Sequence, residues 1–444
     1  MPDSPLYPGY GCEVPGSAEE SNAAPLGLGH GGRASARADS DRTSAGNNAL
    51  TSASACVAID AWTRSVEQLE QLSQDLAEDD ARAARSVAAP PAPARPAVPA
   101  GRLAASVGPA SLSKSEPFAS IAEQRRWQAL QRFGDFTLAY NTAAQEHLEY
   151  HWSNVGYLAY VQRKGQVFVL GDPVTSDEDI PTLLDSFLAR FPRPTFVQVS
   201  ATTATHLAAR RFYINEMGVD TTLDLATYSF AGKSMERIRY ASNWLKKHGY
   251  HIAELSYTDI EAQVATDVSQ QWRRSMKYSR SEMRFLNRPI CYRDERDVRK
   301  FFLRDAQGRC LAFMYFDPLY RDGHVIGYAT AIKRRQPDAP LYAEQGIMRA
   351  AIEQFQSEGK QRVTLGLSPM AWIENKTFPC NPFLHYSFRY AFRAWWVNRY
   401  FYNLEGHAQY KRHFKGHEQP YHYASPVIFN DLRIINLLRL TGVY

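Results

Sequence analysis

An α/β (α+β) fold of two successive units with mixed central sheets, preceded by a disordered leader, is what this sequence predicts, and three observations predict it. Composition breaks near Pro117, where an Ala, Ser, Gly and Pro-rich stretch gives way to one dense in aromatic residues. Beyond the break, β-branched and aromatic runs alternate with segments of helical spacing, as a sheet covered by helices requires. The same order of elements then begins again after Tyr250. The expected boundaries are a leader over 1–115, a first unit over 116–250 and a second unit over 251–444.

The leader culminates in AAPPAPARPAVPAGR, Ala88 to Arg102, which buries too little apolar surface to offset its ordering entropy. One island, Val57 to Ser86, has leucines and charges at helical spacing and predicts a lone helix. In the first unit, GYLAYVQRKGQVFVLGDPV predicts a hairpin around Arg163-Lys164-Gly165. A helix over Asp179 to Phe191, a strand PTFVQVSA, a helix through HLAARRFYINEMG and a strand TTLDLATYSF follow. Ala231 to Tyr250 reads as an amphipathic helix, with Met235, Ile238, Ala241 and Leu245 on one side and a basic face of Arg237, Arg239, Lys246 and Lys247 opposite. That basic face suits RNA phosphates or anionic headgroups, solvation being the default. In the second unit the expectations are a strand HIAELS, a helix VATDVSQQWRRSM and a hairpin over Arg299 to Ile332. A helix QGIMRAAIEQFQSEG, a strand RVTLGLSP and a helix near Phe383 to Tyr400 complete it. Hairpin, helix, strand, helix is the order of an acetyltransferase-type (GNAT) sheet, in which two strands splay and leave a slot for the acyl donor, although other α/β folds share that order.

The 444 residues are 44% hydrophobic and 12% aromatic, enough to fill real cores. A net charge of +5 neither demands nor excludes a polyanionic partner. Cys12, Cys56, Cys291, Cys310 and Cys380 show no C-x-x-C pair, which fits a reducing compartment. No run approaches the roughly 20 apolar residues of a membrane span, and the N-terminus lacks a signal-peptide pattern. Work on lipid would therefore bring the protein to the membrane from water.

The segment Tyr402 to Pro426, YNLEGHAQYKRHFKGHEQPYHYASP, concentrates rings and cations. Its histidines, His407, His413, His417 and His422, have neither the H-E-x-x-H spacing nor a cysteine partner, which argues against a metal. No serine lies in a G-x-S-x-G elbow. What remains is Lys411, Arg412 and Lys415 among Tyr402, Tyr410, Phe414, Tyr421 and Tyr423. Such a set suits phosphate contact with base stacking, as at a single-stranded RNA end. A solvated charge run over core tyrosines is the bland alternative.

With its neighbours, this segment resembles the catalytic domain of the phosphatidylglycerol lysyltransferase family, the cytosolic part of the multiple peptide resistance factors. The resemblance is carried by RRQPDAP (Arg334 to Pro340), QGIM (Gln345 to Met348), RVTLGLSPM (Arg362 to Met370) and FYNLEGHAQYKRHFKGHEQPYHYA (Phe401 to Ala424), and extends over about Pro117 to Tyr423. It implies two tandem acetyltransferase-like units and transfer of an amino acid from aminoacyl-tRNA to a lipid hydroxyl. No cofactor is implied, aminoacyl-tRNA being the donor. The chemistry needs a group to take the hydroxyl proton, a donor for the tetrahedral oxyanion, and an acid or cation near the departing ribose.

By that resemblance Lys411 takes the oxyanion or leaving-oxygen role, with Arg412 facing phosphate. Arg334 would hold a lipid phosphodiester or a tRNA phosphate through its guanidinium fork, and Asp338 would orient Arg334 or merely form a turn between prolines. Glu282 would sense the donor's α-amino group or act as base. Gly366 and Ser368 would end the central strand, where the splay exposes backbone donors, and Tyr402, Tyr410 and Phe414 would line the substrate site.

Three departures sit where donor or acceptor choice could be made: Arg349 where the family commonly has Asp, the insertion LYAEQ before Gly346, and an altered QWRRSMKYSRSEMRF. In place of the family's transmembrane part stands the leader, so modification of lipid at the inner surface, without flipping it, is the expectation. The protein would be cytoplasmic, in transient contact with that surface. The tail Phe429 to Tyr444 reads as a short interfacial helix with Arg433 and Arg439 at headgroups, or as a lid that closes a core. An acyl-coenzyme A-dependent acyltransferase and a non-catalytic lipid- or RNA-binding relative are the alternatives.

Overall fold

The computed structural model describes residues 118, 120–257, 259–276, 282–427 and 431–442. The expected leader over 1–115, its helix at Val57 to Ser86, Cys12 and Cys56 lie outside the described residues.

Repetition of the element order is visible in the topology. In the first half, β1 (Glu149–Trp152), β2 (Tyr157–Arg163) and β3 (Gln166–Leu170) form an antiparallel meander. A helix, here α3 (Ile180–Arg190), then crosses over to β4 (Thr195–Val199), which runs parallel to β3. In the second half β6 (His251–Glu254), β7 (Arg299–Arg304), β8 (Cys310–Arg321) and β9 (His324–Arg335) are again antiparallel. There α7 (Ala343–Ser357) crosses over to β10 (Arg362–Pro369), parallel to β9. Each half ends on one long strand, β5 (Tyr213–Asp224) and β11 (His417–Ser425), and these are exchanged: β11 lies between β4 and β5, and β5 pairs with β10. The result is one sheet of eleven strands in the order β1-β2-β3-β4-β11-β5-β10-β9-β8-β7-β6.

Helical periodicity explains how the sheet is covered. In α3, Ile180, Leu183, Leu184 and Phe187 recur at one-face spacing and are buried. They and Leu207 of α4 (Ala201–Ala209) close over Leu158, Tyr160 and Phe196. On the other face of that half, Leu384 and Phe388 of α8 (Pro382–Arg393) and Leu437 and Leu440 of α10 (Asp431–Thr441) meet Tyr157, Phe168, Val197 and Tyr423. Over the second half, Ile238 and Leu245 of α5 (Glu236–Lys247) and Ile347 and Phe355 of α7 cover Leu303, Met314, Phe316, Val363 and Leu365. The reverse face carries α1 (Ile121–Phe133), α2 (Ala139–Ala144) and α6 (Asp259–Ser275), which bury Trp127, Tyr140 and Val268 against Phe302, Phe313, Tyr315 and Ile332.

Two sequence expectations change, and one of the two readings of the tail holds. The helix expected through HLAARRFYINEMG stops at Ala209, and Arg211 takes a left-handed φ of 65°. The chain from Tyr213 becomes the twelve-residue β5, because β11 supplies a ladder that local helical spacing cannot anticipate. The hairpin expected over Arg299 to Ile332 is the three-stranded β7–β8–β9 meander. The tail helix α10 closes a core, and Arg433 is buried, donating to the carbonyl of Arg193 and to Thr195 Oγ1, each at 2.9 Å, rather than standing at headgroups.

Candidate functional site

The site begins with a gap in the sheet. Parallel pairing of β9 with β10 runs only from Gly327↔Arg362 to Ala329↔Thr364, yet β9 continues to Arg335 and β10 to Pro369. Beyond Thr364 the two strands diverge. A register shift between Thr364 and Leu367 on the β5 side, with φ of 79° at Gly366, turns the backbone there. A Cβ placed on Gly366 would meet only the Thr330 carbonyl oxygen at 3.8 Å and Lys411 Nζ at 3.9 Å within 4 Å, so the space over this glycine is open.

Lys411 enters that gap from α9 (Leu404–Arg412), a helix capped by Asn403, whose side-chain oxygen accepts from Gly406 N. Its Nζ donates to the carbonyl oxygens of Gly366 (2.8 Å) and Leu367 (2.6 Å). Burial pulls the Lys411 ammonium from 10.5 down to about 7, with Lys333 adding to the shift and Asp220 opposing it. Behind the gap, Thr364 Oγ1 donates to the buried Asp220 carboxylate at 2.5 Å and accepts from Gly366 N at 3.2 Å. Burial raises the Asp220 carboxyl above its usual range, the threonine bond only partly offsetting it. On the far side of Thr364 a cavity of about 220 Å³, lined among others by Thr137, Asp172, Arg362 and Tyr421, opens between the halves of the sheet.

Around Lys411 stand Lys333 and Glu344, which the sequence did not single out, with the expected Tyr402 and Tyr410 beside them. Lys333 is ion-paired with Glu344 at 2.9 Å, and its ammonium lies 4.5 Å from the centre of the Tyr410 ring. The Tyr410 hydroxyl donates to the Glu344 carbonyl at 3.3 Å, and Tyr402 stacks on His407 at 4.6 Å. Burial, with Lys333 nearby, depresses the His407 imidazole to about 3, so it is neutral at ordinary pH. Glu344 belongs to the LYAEQ insertion and stands in the first turn of α7, where its carboxylate complements the helix N-terminus.

Arg334 follows Lys333 and therefore points to the opposite face of β9. There its guanidinium lies 3.9 Å over the Trp272 ring of α6 and bonds Glu282 Oε1 at 2.5 Å, while Arg273 reaches the other Glu282 oxygen at 3.4 Å. Burial lowers the Arg334 pKa, and Glu282 works against that. The predicted site residues thus gather in two clusters on opposite faces of the β9–β10 opening: Lys411, Tyr410 and Tyr402 on one, Arg334 and Glu282 on the other. Period-two alternation along KRRQPDAP would have separated Lys333 from Arg334 in advance, and QWRRSM holds Trp272; nothing local marks Asp220.

Several expectations are corrected. Asp338 does not orient Arg334; it is more than half exposed in a turn and pairs with Arg309 at 2.8 Å. Phe414 is fully buried among Leu223, Val363 and Leu365, so it is core rather than a substrate contact. The strand end at Gly366 presents carbonyl acceptors to Lys411, whereas the Gly366 amide is satisfied by Thr364, so no pair of backbone donors faces the gap at this point. Ser368 is buried in the β5 ladder opposite Val219, its hydroxyl without a hydrogen-bond partner among the described residues. Arg412 sits 3.1 Å over Trp372 and forms a fork with Glu418 at 2.9 and 3.0 Å, leaving less of it for phosphate. Arg349, the departure after QGIM, lies on α7 against Glu353 and Phe230. Among the described residues no three His, Cys, Asp or Glu side chains gather where they could hold a metal, and no helix is long and apolar enough to cross a membrane.

Two acetyltransferase-like halves, an opening between parallel strands and a buried lysine at that opening define the class: a tandem acyltransferase fold of the GNAT type. The chain belongs to the family described as phosphatidylglycerol lysyltransferase, C-terminal, which it matches over residues 127–425. Membership makes it, at the level of the family, an acyl- or aminoacyl-transferase. The fold is similar to L-PGS from Bacillus licheniformis, at 16% identity and a TM-score of 0.58, covering 74% of this chain and 98% of that one. It is also similar to the C-terminal domain of a protein described as "Putative Lysylphosphatidylglycerol Synthetase" from Agrobacterium fabrum, at 17% identity and a TM-score of 0.59, covering 72% and 98%. No curated protein matches the sequence.

Proposed function

We propose that this protein moves an amino acid from aminoacyl-tRNA to the hydroxyl of a membrane phospholipid such as phosphatidylglycerol. The observation that carries the reading is Lys411: a buried amine at the sheet opening, with two hydrogens committed to carbonyl oxygens and a pKa near neutrality. In the neutral form its lone pair is left over, and in the charged form a third N–H is. One residue can therefore serve as base and then as acid.

The lipid hydroxyl gives its proton to Lys411 Nζ as its oxygen bonds to the ester carbonyl carbon over Gly366. The tetrahedral oxyanion then collapses, the bond to the ribose oxygen breaks, and Lys411 returns the proton to that oxygen. Arg334, held flat by Trp272 and Glu282, offers a guanidinium edge for a phosphate on the opposite face. Tyr402, exposed on one side, stacks on the more buried His407, and its open face suits an unpaired base. Contact with RNA and with the surface of a bilayer follows from these substrates.

Acyl-coenzyme A is disfavoured as donor by Glu344. In acetyltransferase-type folds the helix after the splayed strand receives pyrophosphate on its backbone amides, and here a carboxylate occupies the first turn of α7. The reaction is tested by incubating the purified chain with membrane lipid extract and a pool of tRNA charged with labelled amino acids, followed by mass spectrometry of the lipids. A ribonuclease-sensitive aminoacyl lipid is expected. Product that survives ribonuclease, or none with intact substrates, overturns the reading in favour of a coenzyme A-dependent or a binding-only protein.

A further inference from the structure

From Asn375 to Leu404 the chain contains no acidic residue, while it carries Lys376, Arg389, Arg393 and Arg399 and is dense in aromatic side chains. Helix α8 lies in this stretch and divides it sharply. Leu384 and Phe388 turn inward to the core, and Tyr386, Arg389 and Arg393 are exposed at the spacing of a single outer stripe. Trp395, just past the helix, and Tyr386 are 67% and 64% exposed, large values for side chains of this size.

We propose that this outer stripe is the surface by which the protein docks on an anionic lipid bilayer, a reading that rests on the lipid acceptor proposed above. Tyr and Trp with an apolar body and a polar tip, flanked by arginines, match the interface between headgroups and acyl chains. No carboxylate occurs within these thirty residues, and the neighbouring Glu374 is paired with Lys376 at 2.8 Å, so the stripe itself offers an anionic surface cations without carboxylates of its own. Helix α10 buries Leu437 and Leu440 in the same core as α8 and leaves Ile435 and Leu438 exposed on its own outer side. Aliphatic groups add little to RNA binding but do partition into acyl chains, and this favours bilayer over nucleic acid.

The helix that carries the stripe also lies close to the site. Phe392, in the last turn of α8, meets Trp372 edge to face at 6.0 Å, and Trp372 underlies Arg412, the neighbour of Lys411. A bilayer on α8 would thus lie within two side-chain contacts of the helix that carries Lys411.

The test is sedimentation of the full chain with vesicles of phosphatidylcholine alone or with phosphatidylglycerol added. Partition onto the anionic vesicles is expected, and Arg389→Glu with Arg393→Glu should weaken it tenfold or more. Trp395→Phe should remove the component of tryptophan quenching by brominated acyl chains that the unsubstituted protein shows. Unchanged thermal midpoints establish that these exposed substitutions leave the fold intact. The charge-reversed protein should still aminoacylate a dispersed short-chain phosphatidylglycerol while losing transfer to bilayers. Vesicle partition unaffected by the reversals overturns the proposal, as does loss of tRNA binding with vesicle binding intact. Vesicle partition lost on reversal in a protein that forms no aminoacyl lipid sustains the surface and defeats only the reaction.

Discussion

Lys411 Nζ lies 2.8 Å from the carbonyl oxygen of Gly366, joining α9 to the strand bulge 45 residues earlier. Both partners depend on the gap in the sheet. Gly366 takes a left-handed φ that frees the space above it, and Lys411 fills the gap's edge with an amine that burial holds near neutrality.

The pH dependence of transfer follows from that amine. Proton abstraction needs neutral Lys411, so kcat/KM should climb through about pH 7 and level above it. Lys411→Ala should lower kcat/KM by about 100-fold or more, and Lys411→Arg, which stays charged, should not restore it. A profile flat across pH 6 to 8 under first-order conditions would remove the base role.

Stability should respond in the same sense, over a higher pH range. Because the folded pKa lies below the unfolded one, the unfolded chain binds more protons between about pH 7 and 10.5, and the burial penalty of Lys411 grows as pH falls through that window. The thermal midpoint of Lys411→Met relative to the unsubstituted protein should therefore fall as pH is raised from 7 to 10. A pH-independent difference would show that the lysine is not desolvated in the folded state.

Glu282 stands between two guanidinium groups, those of Arg334 and Arg273. Glu282→Gln should destabilise by roughly 2–4 kcal/mol in urea unfolding, because it leaves Arg334 buried without a counter-charge. Combining it with Arg334→Met should cost less than the sum of the two, a coupling that a double-mutant cycle measures.

Phe414→Ala should behave as a core deletion, with a loss of about 3–5 kcal/mol and an unchanged KM in the folded fraction. A raised KM at full stability would return Phe414 to the substrate site.

Gly366→Ala has room for its methyl but not the conformation, since φ is 79°. Expected are a loss of about 1–2 kcal/mol and a fall in kcat as the carbonyl that holds Lys411 shifts. Thermal unfolding and kinetics on the same preparation check both.

Much of this was legible in the sequence because the physics behind it is local. Periodicity marked α3, α5 and α7, turn chemistry marked the β2–β3 hairpin, and the repeat of hairpin, helix and strand marked two acetyltransferase-like halves. The motif around Lys411 pointed to that residue before any geometry. Other features follow from contacts between residues far apart in the chain, and only the tertiary structure decided them. The exchange of β5 and β11 between halves turned an expected helix into a strand, because ladder hydrogen bonds to a segment about 200 residues away outweigh local propensity. The carboxylate that holds Arg334 is Glu282 rather than the nearer Asp338, since strand alternation sends Arg334 to the face covered by α6. Residue types in Tyr402 to Pro426 revealed a cationic, aromatic segment; both Lys411 and Phe414 are buried, and only their surroundings, strand-end carbonyls for the one and Leu223, Val363 and Leu365 for the other, separate the opening from the core, because packing depends on what surrounds a side chain and not on its neighbours in sequence.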